Sequence, residues 1–141
     1  MRISALSAAL AVTAMTLAGS VTPATAEPTV STVTLDAGAG LHHSTGTVLY
    51  EHVDGEVNSI KIISAQATGG THDCAWVQWN DPKAGGDGWS PLISEPGCYG
   101  STVGETPNIV IKAPAGHPLK VRLAAYHFDS AEVKHKDIAK L

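Results

Sequence analysis

The stretch HDCAWVQWND, residues 72–81, alternates between two kinds of side chain along most of its length. In an extended strand, successive side chains point to opposite faces of the sheet. One face then carries Ala75, Val77 and Trp79, and the other carries Cys74, Trp76, Gln78 and Asn80. The first face is wholly apolar, so this stretch predicts a β-strand packed on a core, with Trp79 as a buried anchor. Trp76, on the other face, either covers a disulfide or lies on the surface.

The same period of two recurs along the chain, and residues 29–128 show no sustained helical period. Strands are predicted at 29–36, 46–53, 57–68, 74–80, 89–93, 107–113 and 119–128. About seven short strands separated by Gly- and Pro-rich turns predict an all-β fold, either an antiparallel β-sandwich or a small barrel. Asp54-Gly55 predicts a two-residue type I′ hairpin turn. The tail, 129–141, is interpreted as an edge strand or a frayed helical turn.

Alternation also predicts which side chains form the rest of the core. Those expected to face inward are Ile60, Ile62, Ile109, Ile111, Leu119, Val121, Leu123 and Ala125. The last strand would continue with His127 inward and with Tyr126 and Phe128 outward, unless a bulge shifts the register.

The N-terminus predicts a secretory signal peptide over residues 1–26. Arg2 precedes an uncharged run over 3–21, and Ala24-Thr25-Ala26 has the small-x-small form of a cleavage site. An uncleaved membrane anchor is the alternative, but Ala, Ser, Thr and Gly fill most of the run. We therefore expect a secreted, extracellular domain over 27–141, with no membrane contact after cleavage. The Ala- and Thr-rich leader is typical of high-GC Gram-positive bacteria.

Charge and cysteine content narrow the class of protein further. The formal net charge of the 141 residues is −4, and the basic residues are scattered along the sequence. Nucleic acid and anionic lipid are therefore poor partners. Two cysteines in an exported chain predict a disulfide, and the pairing can only be Cys74 with Cys98.

Aromatic residues near this disulfide indicate a binding surface. Trp76, Trp89 and Tyr99 could gather beside the bridge, and flat aromatic faces next to amides and acids suit sugar rings. The candidate ligand-binding residues are Trp76, Gln78, Asn80, Asp87, Trp89 and Tyr99. Trp and Tyr also favour protein interfaces. We therefore expect a non-enzymatic binding protein for a glycan, a cell-envelope polymer or an extracellular protein; a minor cluster packed over the disulfide is the structural alternative.

Two other functions remain open at this point. The segment 95–107, braced by Cys98 and Pro107, could project as the rigid loop of a protease inhibitor, although its three glycines make it pliable. A small extracellular hydrolase comes third, because no G-x-S-x-G or H-E-x-x-H motif occurs.

No cofactor or metal site is expected from residue spacing. The seven histidines are dispersed, without an H-x-H or H-x-x-x-H pair, and the loop 80–88 departs from the calcium-loop pattern. A metal site assembled from distant strands stays open, because a sheet brings remote residues together.

Overall fold

A computed structural model describes Gly19 and residues 27–130 and 132–141. The predicted signal peptide, Gly19 apart, lies outside these described residues. The described chain contains one short 3-10 helix, η1 (Gly40–His42), and ten strands. These are β1 (Val30–Ala37), β2 (Ser44–His52), β3 (Ser59–Thr68), β4 (Asp73–Asn80), β5 (Trp89–Pro91), β6 (Gly97–Cys98), β7 (Thr102–Glu105), β8 (Ile109–Lys112), β9 (Lys120–His127) and β10 (His135–Lys140). Among the described residues, no helix has the length and apolar character needed to cross a membrane.

The strands form two antiparallel sheets that make a small β-sandwich. The first sheet has the order β1-β2-β3, and both β7 and β8 pair with the far side of β3. The second sheet has the order β10-β9-β4, and both β5 and β6 pair with the far side of β4. The predicted all-β class is therefore confirmed, and of the two predicted architectures the chain adopts the sandwich.

The core lies between the two sheets and includes most of the residues predicted to face inward, together with residues of β1 and β2 and the segment after β5 for which no orientation was predicted. Its largest fully buried apolar side chains are Leu35, Val48, Ile62, Val77, Ile93, Val121 and Leu123. Trp79 packs against this core but is only partly buried. Ile109 has the inward parity of Ile111 yet remains 41% exposed, because it begins the edge strand β8. Its predicted burial is therefore wrong, although its orientation follows the alternation.

A β-bulge in β3 explains how one long strand keeps its apolar side chains inward. Ile62 pairs with Tyr50, and Ser64 pairs with Leu49, so Ile63 is the extra residue. The extra residue reverses the alternation. Buried positions are accordingly Ile60 and Ile62 before the bulge, and Ala65 and Ala67 after it.

Three local predictions are corrected or decided by the backbone. Gly55 adopts positive φ, +76°, but Asp54 does not, so the turn is not type I′; pairing resumes only at His52 and Ile60, which makes a longer loop. The segment 95–107 does not project freely, because β6 pairs with β4 and β7 pairs with β3. The tail forms the edge strand β10 rather than a helical turn.

Candidate functional site

The predicted disulfide is formed, and it fixes one margin of the second sheet. Cys74 on β4 and Cys98 on β6 are directly opposite each other, with a Cα–Cα distance of 4.0 Å. Both cysteines are used in this bridge. A disulfide between residues far apart in sequence restricts the unfolded chain. The bridge therefore anchors β6, a strand too short to persist on its own pairing.

The solvent-facing side of the second sheet carries a cavity of about 360 Å³. Residues directly opposite in an antiparallel pair share a face. Trp76 pairs with Ala124 and Gln78 pairs with Arg122, so these four side chains lie together on the outer face. The cavity is lined by Trp76, Gln78, Asp87, Arg122, Ala124, Tyr126 and Val133. We call it the outer-face cavity.

Arg122 is held in one conformation at the floor of the outer-face cavity. The residue is only 7% exposed. Its Nε donates to the Gln78 Oε1 at 2.7 Å, and its Nη2 donates to the Asp87 Oδ2 at 2.5 Å. The guanidinium carbon lies 4.5 Å from the centre of the Trp89 ring, which is within the range of a cation–π contact. Three neighbours therefore fix this cation without ligand.

The aromatic wall of the cavity is also fixed before any ligand arrives. Trp76 is half-buried, and its Nε1 donates to the Tyr126 hydroxyl at 3.1 Å. Ala124, opposite Trp76, is a small buried residue. A larger side chain at this position would fill the space beneath the indole. The cavity therefore exists because a small residue faces a large, hydrogen-bonded aromatic.

Asp87 is the acidic member of the site, and the Arg122 guanidinium controls its protonation. The hydrogen bond and charge of Arg122 lower the pKa of Asp87 below its ordinary value of 3.8, while partial burial opposes this shift. Asp87 is consequently ionised at neutral pH. Because it is paired with Arg122, the two charges largely compensate each other within the cavity.

The six residues predicted as ligand-binding are only partly brought together. Trp76, Gln78 and Asp87 line the outer-face cavity, and Trp89 lies against its guanidinium. Asn80 instead donates to the Pro118 carbonyl at 2.7 Å and accepts from the Lys120 backbone at 2.6 Å. This amide fastens a loop and does not line the cavity.

Tyr99 also lies outside the outer-face cavity, which corrects the expected cluster of three aromatics. The disulfide does bring its backbone beside β4, where Tyr99 N donates to the Asp73 carbonyl at 3.0 Å. The residue is 60% exposed, however, and its ring lies 6.0 Å from that of Phe128. Tyr99 has a positive φ of 54° because it lies in the turn after β6. This turn places the ring outside the outer-face cavity.

Arg122, Ala124, Tyr126 and Val133 line the cavity but were not among the predicted site residues. Alternation places Arg122 and Tyr126 opposite the apolar face of their strand, but it does not indicate that β9 pairs with β4. That pairing supplies the hydrogen bonds of Arg122 to Gln78 and of Trp76 to Tyr126. Arg122 is a charged residue among apolar neighbours in the sequence, and this indicates that it needs a polar partner. That partner can be identified only when the strand order is known.

The structure also gathers histidines that are distant in sequence. The rings of His42, His72, His127 and His135 lie within 6.0 Å of at least one neighbouring ring in the group. His42 and His127 both contact Asp73. The sequence spacing did not predict this cluster, because its members come from η1, the β3–β4 connection, β9 and β10. Among the described residues, His42, Asp73 and His127 form a group with the ligand types and distances of a metal site.

Comparison with protein-family models, with curated proteins and with solved structures finds no match to this chain.

Proposed function

We propose that this chain is a secreted, non-enzymatic binding protein that recognises a polysaccharide of the cell envelope through the outer-face cavity. The observation that carries the proposal is the combination of a fixed aromatic wall, Trp76 with Tyr126, and a fixed polar floor, Arg122 with Gln78 and Asp87. The disulfide supports an oxidising, extracellular location.

The dimensions and chemistry of the cavity support a ligand of the size of a few sugar units. A volume of about 360 Å³ lies at the lower end of the range for small-ligand sites, which combine apolar walls with few polar groups. A sugar ring offers an apolar C–H face to Trp76 and hydroxyl groups to Gln78 and Asp87. Because these side chains are already ordered, binding loses little conformational entropy.

Basic side chains around the cavity favour an acidic polysaccharide over a neutral one. Lys136 on β10 is directly opposite Ala124, and Lys120 lies two residues before Arg122 on β9, so both share the outer face. Arg122 is balanced by Asp87, whereas these lysines add positive charge to the face. We therefore expect carboxylate- or phosphate-bearing polymers to bind more tightly, with an affinity that falls as salt rises.

The cavity supports binding better than hydrolysis. Glycoside hydrolysis usually needs two carboxyl groups on either side of the scissile bond. Among the residues that line the cavity, Asp87 supplies the carboxylate, and its ionisation is favoured by Arg122. A general acid needs a raised pKa, which is the opposite of the shift at Asp87.

The pairing of the segment 95–107 does not support the protease-inhibitor alternative, which needs a projecting loop. The segment 95–107 is paired within both sheets through β6 and β7, and Glu105 accepts hydrogen bonds from the backbone and hydroxyl of Ser94. An inhibitor loop must extend into the protease cleft. Between β6 and β7, the exposed residues 99–101 form a tight turn in which Ser101 N donates to the Cys98 carbonyl at 2.9 Å.

Isothermal titration with soluble acidic and neutral cell-wall polysaccharides tests the proposal. We expect saturable binding to an acidic polymer, and we expect Trp76→Ala to weaken it by at least tenfold, as for a central aromatic anchor. Tyr99→Ala is the matched control, because it removes an exposed aromatic outside the cavity, and it should leave the affinity unchanged. Equal affinity in Trp76→Ala, or binding of a protein but of no polysaccharide, would contradict the proposal.

A further inference from the structure

Asp73 and two histidines converge at one end of the sandwich, and none of the three lines the outer-face cavity. Asp73, the first residue of β4, is fully buried. Its Oδ1 lies 2.9 Å from the His42 Nδ1 and 2.6 Å from the His127 Nδ1. One ligand atom from each of these residues lies within 4.8 Å of the other two. The three side chains come from the η1, β4 and β9 elements, so the fold itself assembles the group.

The second oxygen of the same carboxylate is an independent indication of a ligand. Asp73 Oδ2 is buried and has no hydrogen-bond partner among the described residues. Buried polar atoms without a partner are rare, because desolvation is not compensated. A cation at the carboxylate would compensate it. The two histidines remain partly accessible, with side chains 41% and 32% exposed, so an ion can reach them from solvent.

We propose that Asp73, His42 and His127 bind one divalent transition metal ion of the zinc or copper type. Imidazole nitrogen with one carboxylate oxygen is a ligand set that suits these ions, whereas magnesium and calcium prefer oxygen alone. Three protein ligands leave a further coordination position for water. Ligand atoms about 2.1 Å from a tetrahedral ion lie roughly 3.4 Å apart. The nitrogen–oxygen distances of 2.9 and 2.6 Å therefore need to lengthen by less than about 1 Å, and the two nitrogens, which lie within 4.8 Å of each other, need to approach by at most about 1.4 Å.

The backbone around His42 is built to hold this arrangement. A Cβ at Gly38 would lie 2.1 Å from the His42 carbonyl oxygen, and a Cβ at Gly70 would lie 2.6 Å from the Leu41 carbonyl oxygen. Both contacts are with backbone atoms of η1, so neither clash could be relieved without moving η1. Gly38 allows the tight turn from β1 into η1, and Gly70 allows η1 to approach the β3–β4 connection closely. His42 is thereby positioned above Asp73 by main-chain packing rather than by a flexible loop.

A metal ion at this position would connect the two sheets. η1 joins β1 to β2 in the first sheet, whereas Asp73 and His127 are opposite each other on β4 and β9 of the second. The rings of His72 and His135 each lie 6.0 Å from that of His42, which places further imidazoles beside the ion. An ion that binds only the folded chain stabilises it by mass action. The proposed metal ligands and the residues that line the outer-face cavity are different, so metal binding does not require polysaccharide binding.

Titration of the untagged, chelator-treated protein with zinc chloride tests the site by calorimetry. We expect one ion per chain with micromolar or tighter affinity, and a rise in melting temperature that magnesium and calcium do not produce. His42→Gln and His127→Gln should each weaken binding by roughly 10–100-fold or more, because each removes a metal ligand. Both residues are partly exposed, so these variants should fold.

His43→Gln is the matched control. His43 forms a pair with Asp36 at 2.9 Å. This pair also joins a histidine to an aspartate, but it is exposed and contains no second histidine. The variant should bind zinc as the unaltered protein does. Equal losses in His43→Gln and His127→Gln, or several weak ions per chain, would overturn the proposal by indicating binding to scattered surface histidines.

A spectroscopic measurement on the unaltered protein removes any dependence on variants. In the NMR spectrum, zinc should shift the imidazole signals of His42 and His127 in a saturable way at one equivalent, with little change at His52. Shifts spread evenly over all seven histidines would contradict the site. Asp73→Asn, if circular dichroism shows that it folds, should lose binding as the histidine variants do; retention of full affinity would contradict direct ligation.

Discussion

Replacement of Arg122 by methionine removes the charged floor of the outer-face cavity while keeping most of the apolar stem. The lost charge-assisted hydrogen bond to Gln78, at 2.7 Å, contributes about 1.5 kcal/mol. The pair with Asp87 contributes about 0.5 kcal/mol, because that carboxylate is 59% exposed. The contact with Trp89 adds about 0.5 kcal/mol. We therefore expect the free energy of unfolding to fall by about 2.5 kcal/mol.

Urea unfolding followed by tryptophan fluorescence measures this loss, since Trp89 reports directly on the guanidinium. The midpoint should fall at unchanged slope, which indicates a change of stability and not of denatured-state compactness. Lys61→Met is the control, because it removes a partly exposed cation whose pair with Glu51 spans 3.4 Å. Its effect should stay below about 0.5 kcal/mol.

Two results would refute this account of Arg122. A loss in Arg122→Met no larger than that in Lys61→Met would mean that the guanidinium is not clamped in solution. A full rescue by Arg122→Lys would mean that charge alone suffices, whereas the structure attributes the effect to a planar group that hydrogen-bonds through two nitrogens and stacks on a ring.

Three further predictions concern the disulfide, pH and a glycine. Replacing Cys74 and Cys98 by alanine should lower the free energy of unfolding by about 3.5 kcal/mol, measured by thermal melting. The pKa of Asp87 is lowered by its guanidinium partner, so the stability from this pair is present above pH 3.8 and lost as pH falls through the lower folded value; acid unfolding of Asp87→Asn should lack that component. A Cβ at Gly97 would lie 2.2 Å from a β3 carbonyl oxygen; Gly97→Ala should destabilise by about 3 kcal/mol, whereas Gly85→Ala, with open space around it, should not.

The long strands could be predicted because their own alternation carries the information. β4 and β9 each place apolar side chains at every second position, and burial of that face is what stabilises them. β6 and β7 could not be predicted in the same way. β6 has only two residues, one of them a glycine, and in β7 Gly104 and Glu105 offset the strand preference of Thr102 and Val103. Both are strands because β4 and β3 offer free edges on which they pair.

The candidate site was predictable in part for the same reason. Residues on one strand, Trp76 and Gln78, share a face by local geometry alone. Their neighbours Arg122 and Tyr126 depend on which strand pairs with β4, and strand order is not encoded in the alternation of either strand. The histidine cluster around Asp73 is still harder to predict from the sequence, because it requires the strand order and also the approach of η1 to the second sheet.

Titration of the purified protein with acidic cell-wall polysaccharide, followed by intrinsic tryptophan fluorescence, shows whether the outer-face cavity binds a polysaccharide. Trp76 lines the outer-face cavity and Trp89 lies against its guanidinium, so an occupied cavity must change their emission. We predict a saturable spectral shift that is abolished in Trp76→Ala and weakened by salt. Absence of any shift across acidic and neutral polymers, with the fold intact, would contradict the assignment of this cavity as a polysaccharide site.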